Sequence, residues 1–154
     1  MLKLLIADDE FEIRNGLSEY VPWADMGFEV IGRLGNGLDV LDFVSKHPVD
    51  VLLCDIRMPI MSGMDVAREL AGQKSPVKIV LLSGYKEFEY AQQALEFGVR
   101  SYLLKPPKYS EICGLFGRIK EELLANPHHP SPPNQPLKRS LKKTAAFRLK
   151  PYLR

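Results

Sequence analysis

Two cysteines and a single tryptophan in 154 residues set the first limits. Two thiols, Cys54 and Cys113, are too few for a disulfide framework. Cys54 sits inside an apolar run, so both thiols are expected to stay reduced in a cytoplasmic setting. No apolar run approaches the about 20 residues of a membrane span. Met1-Leu2-Lys3 leads directly into a strand-like run, without the apolar stretch and cleavage site of a signal peptide. Neither membrane insertion nor secretion is therefore expected. Internal repeats are absent, and so are acids beyond Ala125. Residues 126–154 hold 7 basic residues and no acid, so +7, and residues 1–125 hold 14 Lys+Arg against 19 Asp+Glu, so 14 − 19 = −5. The net charge of +2 is thus an acidic body followed by a basic tail.

What is present is the composition of an ordinary globular domain, 45% hydrophobic and 26% charged, with enough chain for one real core. Strand-like apolar runs occur at about 2–7, 28–34, 50–54, 77–82 and 100–104. Between them lie helical spacings. Phe11, Ile13, Leu17 and Val21 mark the first, and Val40, Leu41 and Val44 the second. Met64, Val66, Ala67 and Leu70 mark the third, with Ser62 as its N-cap. Phe88, Ala91, Ala94 and Leu95 mark the fourth, and Ile112, Leu115, Phe116, Ile119 and Leu123 the fifth. Strands alternating with helices predict an α/β fold, a parallel sheet covered on both faces. The pattern stops near Ala125, which bounds a domain at 1–125. Five prolines within 126–136 read as an extended linker, and 137–154 as a basic tail too short for a core.

Ligands of such folds sit at the carboxyl ends of strands, and that is where the polar residues fall. Asp8 and Asp9 end one apolar run and Asp55 another. Ser83 ends a third, and Lys105 a fourth. Taken singly each has a plain explanation: acids complement a helix dipole, serine before glycine makes a turn, lysine is solvated. Converging at one edge, they predict a site for a divalent metal and a phosphoryl group. The acids supply hard oxygen ligands for Mg²⁺, one direct and one through water, and the Arg57 backbone carbonyl adds another. Asp55 is placed to act as a nucleophile that forms an aspartyl phosphate. The Ser83 hydroxyl and the Lys105 ammonium are suited to phosphoryl oxygens. Lys105 precedes Pro106, which makes a cis peptide affordable.

Leu5-Ile6-Ala7-Asp8-Asp9-Glu10, Cys54-Asp55-Ile56-Arg57-Met58-Pro59-Ile60-Met61-Ser62-Gly63, Leu82-Ser83-Gly84-Tyr85 and Tyr102-Leu103-Leu104-Lys105-Pro106 closely resemble the receiver domain of two-component response regulators. The resemblance covers about residues 1–124. It implies a flavodoxin-like doubly wound sheet of five parallel strands in order 2-1-3-4-5. Asp55 matches the phosphoacceptor, and Asp8 and Asp9 the acidic pair, with Asp9 the direct Mg²⁺ ligand. Ser83 matches the switch hydroxyl, Tyr102 the switch aromatic and Lys105 the lysine of the motif. The implied partner is a sensor histidine kinase. The implied output face, through the fourth helix, fifth strand and fifth helix, would serve a homodimer, with Phe88, Tyr90 and Phe97 as candidate contacts. Ile13-Arg14-Asn15-Gly16-Leu17, Trp23, Gly27-Phe28-Glu29-Val30-Ile31-Gly32, Asn36-Gly37 and Ser83-Gly84-Tyr85-Lys86-Glu87-Phe88-Glu89-Tyr90-Ala91 resemble the receivers joined to AraC-type DNA-binding domains, which control transcription.

Two departures stand out. Pro107 follows Pro106 where the family has an apolar residue, and Gly114 and Gly117 weaken the last helix by about 1 kcal/mol each relative to Ala. The residues after Ala125 are too few for the two helix-turn-helix units of an AraC-type module, so DNA contact is expected only through an output domain missing from this chain. Three other readings compete. A metal-dependent phosphohydrolase would commonly carry a second acid two residues after its nucleophile, where Arg57 stands. A receiver-like binding module that takes no phosphate would have little use for all five site residues. Non-specific nucleic-acid contact through Lys138, Arg139, Lys142 and Lys143 has only their charge to support it.

Overall fold

The structure, a computed structural model, describes residues 1–84 and 88–125, and within them not the side chains of Phe88, Tyr90 and Ala91. The expected linker 126–136, the basic tail 137–154 and Tyr85 lie outside the described residues.

Among the described residues five strands, β1 (Leu2–Ala7), β2 (Phe28–Leu34), β3 (Val51–Asp55), β4 (Lys78–Ser83) and β5 (Ser101–Leu104), alternate with five helices. These are α1 (Phe11–Tyr20), α2 (Gly37–Lys46), α3 (Gly63–Gly72), α4 (Phe88–Ala94) and α5 (Tyr109–Ala125). All pairings are parallel, as the alternation predicts, and the order is β2-β1-β3-β4-β5, the one the receiver resemblance implies.

Period-two alternation sorts the strand side chains into two cores. Leu5, Ala7, Leu52, Cys54, Ile79 and Leu81 face α2, α3 and α4, where Val40, Val66, Ala67, Leu70 and Ala94 meet them. Leu4, Ile6, Val51, Leu53, Val80 and Leu82 face α1 and α5, against Leu17, Ile112, Phe116 and Ile119. Trp23, only 3% exposed, anchors this second core. Its ring lies edge-on to Phe28 and Phe116, with centroids 6.0 and 4.9 Å away, and its Nε1 donates to the Leu17 carbonyl at 2.7 Å. The indole N–H is thereby satisfied inside an apolar cluster.

Local signals explain most helix starts. Ser62 accepts from the Asp65 N–H as the N-cap of α3, and Asn36 does the same for α2 from Asp39. Pro107 falls before α5, whose first turn closes with Ile112 N–H on the Lys108 carbonyl, and α5 runs through Gly114 and Gly117 for 17 residues. Among the described side chains, two of the apolar markers do not face a core. Phe11 is 66% exposed, because it opens α1 at the strand-end edge. Leu95 is exposed because α4 closes after seven residues into a 3-10 turn, Leu95–Phe97, ended by left-handed Gly98.

Candidate functional site

Strand register sets the site. Ala7 pairs with Cys54, so Asp8 and Asp55, each the next residue, stand side by side at the carboxyl edge of β1 and β3. Asp55 pairs with Leu82, and Ser83 follows it. Ser83 pairs with Leu104, and Lys105 N–H donates to the Ser83 carbonyl at 2.8 Å. The Lys105–Pro106 peptide is cis.

The charged groups converge. Lys105 Nζ lies 3.0 Å from Asp55 Oδ2, 3.1 Å from Asp8 Oδ2 and 3.6 Å from Glu10 Oε1. Asp8 is fully buried and Asp55 is 4% exposed; Asp9 is exposed. Asp8 Oδ1 accepts from the Glu10 N–H at 2.9 Å. Asp8 Oδ2 has the Lys105 ammonium, 3.1 Å away, as its ion-pair partner and no well-aligned hydrogen bond. Asp55 Oδ1 accepts a long bond, 3.4 Å, from the Arg57 N–H.

One lysine does not balance this many acids. Burial pushes the Asp55 carboxyl up to about 6; Lys105 pulls against it, and Asp8 adds to the rise. Burial raises Asp8 too, against the Glu10 N–H and Lys105. Burial alone would lower Lys105, but Asp55 and Asp8 outweigh it and hold its ammonium above the ordinary lysine range. Burial, then Asp55 and Asp8, raise the Cys54 thiol far enough to leave it inert. Asp8, Asp9 and Asp55 each offer an oxygen within 4.8 Å of the others. These three carboxylates, one of them fully buried, around a single ammonium fit a hard divalent cation that takes oxygen ligands and retains water.

Ser83 is fully buried, and its Oγ donates to the Gly84 carbonyl at 2.9 Å. The hydroxyl is thus turned to its own loop, and donating to a group on Asp55 means giving up that bond. Tyr102 is half-buried and packs on the core shared by α2, α3 and α4. Phe97 packs there as well, with the Arg68 guanidinium 5.1 Å from its ring centre; the side chains of Phe88 and Tyr90 lie outside the described residues.

Two glycines let the loops close on the site. A Cβ on Gly37 would overlap the Met61 carbonyl oxygen, and one on Gly63 the Asp55 carbonyl oxygen. Gly37 N–H donates to Met61 and Gly63 N–H to Ile56. Between them, exposed Ile60 has a φ of 70°, spanned by a 2.7 Å bond from Met61 N–H to the Pro59 carbonyl. A β-branched residue in the left-handed region is strained. Sequence reasoning missed this turn and the Glu10 contact; Glu10 sits directly after the acid pair, whereas nothing near Ile60 announces its backbone.

The comparisons with known proteins agree with the architecture. The response regulator receiver domain model matches residues 4–116. The REC domain of AraT, a response regulator from Geobacillus stearothermophilus, is 37% identical with a TM-score of 0.75, over 81% of this chain and 97% of that one. A two-component transcriptional regulator AraC from Clostridium phytofermentans is 31% identical with a TM-score of 0.73, over 81% and 97%. The transcriptional regulatory protein HptR of Staphylococcus aureus is 34% identical over 124 residues, 80% of this chain and 48% of its own length. The uncharacterized transcriptional regulatory protein YesN of Bacillus subtilis is 33% identical, over 80% of this chain and 33% of its length. The chain thus spans between a third and a half of the curated relatives it matches. No helix among the described residues is long and apolar enough to cross a membrane. A family match over residues 4–116, on a five-stranded parallel sheet of order 2-1-3-4-5, makes this chain a member of the response regulator receiver domain family of two-component signalling.

Proposed function

We propose that Asp55 is the phosphoacceptor of this receiver, taking its phosphoryl group from a sensor histidine kinase. The observation that carries the reading is the convergence of Asp8, Asp9, Asp55 and Lys105 at one strand edge, with Lys105 Nζ 3.0 Å from Asp55. An Asp55 carboxylate oxygen attacks the phosphorus of a phosphohistidine or a small acyl phosphate. The new O–P bond forms as the donor's N–P or O–P bond breaks, and the donor keeps the electron pair. Asp9, Asp55 and the Arg57 carbonyl would hold Mg²⁺, with Asp8 through water, and the bound ion would offset charge on the transferring group.

Lys105 is a point charge for the phosphoryl oxygens, and Ser83 gives up its bond to Gly84 to donate to them. That movement opens space beside Tyr102, which turns inward and biases a two-state equilibrium over α4, β5 and α5. Exposed Leu95 and Leu104 lie on this stretch and suit a homodimer face. The output is transcriptional, as the names of relatives called transcriptional regulators suggest, and the chain acts as a switch rather than a turnover enzyme. Acetyl phosphate with Mg²⁺ tests the assignment by intact mass. Wild type gains one phosphoryl group and Asp55→Asn gains none; label on the variant, or none on wild type, would sink it.

A further inference from the structure

The acid pair is also gripped from outside the cluster. Arg14 lies in the second turn of α1, half-buried. Helical side chains lean toward the N-terminus, and its guanidinium reaches back to the β1–α1 loop, where Nη1 donates to the Asp8 carbonyl at 2.7 Å. On the other side, Asp8 N–H donates to the Leu34 carbonyl at 3.0 Å. Both peptide units flanking Asp8 are therefore bonded. A Cβ on Gly35 would stand 3.0 Å from Arg14 Nη1 and 4.0 Å from the Asp8 carbonyl oxygen, so the bare backbone there leaves the guanidinium its channel. The guanidinium also lies over the Phe11 ring, with Cζ 5.5 Å from the ring centre.

A permanent positive charge beside a cluster built for a cation is a cost if its effect is Coulombic, since it repels the incoming ion. Its bond to Asp8 runs instead to the main chain, not to any carboxylate. Charge-assisted bonds of this kind are about twice as strong as neutral ones, and this one fixes the peptide from which Asp9 departs. We propose that Arg14 is a positioning residue: it clamps the Asp8–Asp9 peptide, with Gly35 as its socket, so that exposed Asp9 presents its carboxylate to the cation. The proposal rests on the reading of Asp8, Asp9 and Asp55 as a cation site.

Positioning and repulsion predict opposite signs. With the whole chain and Mn²⁺ alone as the probe, bound ion is counted by the loss of the free-ion EPR signal. Arg14→Met is expected to bind about tenfold more weakly than wild type, and Arg14→Lys, which keeps a donor for the carbonyl, within about threefold of it. In an Asp9→Asn background Arg14→Met adds less than about twofold, because the residue it positions is gone. Unchanged or tighter binding by Arg14→Met overturns the proposal, as does a full tenfold loss in the Asp9→Asn background. If Arg14→Met does not fold, Gly35→Val decides. It displaces the guanidinium without removing its charge, from a backbone outside the left-handed region. Weaker binding supports the clamp and unchanged binding overturns it. A wild type that binds no Mn²⁺ refutes the cation site itself, and the clamp with it.

Discussion

Replacing Asp55 with Asn should stabilise the metal-free protein, and by an amount that depends on pH. The Asp55 carboxyl has an ordinary value of 3.8 and is pushed up to about 6 in the fold, chiefly by burial. The fold therefore prefers its protonated form. Whatever stability that preference contributes is fully present below about pH 4 and is lost as pH rises through about 6. At about 1.4 kcal/mol for each tenfold, the difference comes to about 3 kcal/mol between the two ends of the window. Asn keeps the shape and carries no charge, so it escapes this loss. Lys105 keeps Asp8 as a partner, at 3.1 Å. Urea unfolding without divalent ions, from pH 4.5 to 8, is the assay, with Trp23 fluorescence as the signal because that ring is buried between Phe28 and Phe116. The gap between Asp55→Asn and wild type should be small at the acid end and widen to about 3 kcal/mol above pH 7, roughly 10 °C in melting temperature. Saturating Mg²⁺ should shrink it by stabilising wild type more than the variant, which has one carboxylate fewer for the ion. An Asp55→Asn protein no more stable than wild type at pH 7.5, or a gap independent of pH, would refute the reasoning.

Other outcomes follow from the same geometry. Mg²⁺ affinity, measured by calorimetry, should fall as pH drops through about 6, because the ion and the proton compete for Asp55. Gly117→Ala should stabilise the fold by about 0.5–1 kcal/mol in urea unfolding; a Cβ there meets nothing within 4 Å. Ile60→Asn should stabilise by about 1 kcal/mol, since Asn tolerates the left-handed φ of 70° that a β-branched residue does not. A destabilised Ile60→Asn would mean that the exposed Ile60 side chain makes contacts that offset its backbone strain.

Most of the fold could be read from the chain because its signals are local and periodic. Each strand is a short apolar run, and the helix start at Ser62 carries its own cap. The convergence of Asp8, Asp55 and Lys105 was legible for one reason: in a parallel sheet every strand ends at the same edge, so sequence position after a run becomes spatial position at the site. Relations without a period stayed hidden. The six-residue reach from Arg14 to the Asp8 carbonyl matches no helical or strand spacing. The orientation of the Ser83 hydroxyl toward Gly84 is a rotamer choice that no pattern encodes. Phe11 and Leu95 misled because periodicity assigns a face but not the point where a helix begins or tightens into a 3-10 turn.

The two cores leave the sheet acting as a bulkhead. Tyr102 pairs with Leu81 and packs on the side of α2, α3 and α4, whereas its neighbour Leu103 belongs to the side of α1 and α5. A turn of the Tyr102 ring is therefore taken up in one compartment only. The other, tied together by Trp23, Phe28 and Phe116, holds the buried face of α5. Under the proposed switch over α4, β5 and α5, a shift that starts at Tyr102 would therefore reach α5 around β5, the edge strand, and not through the sheet.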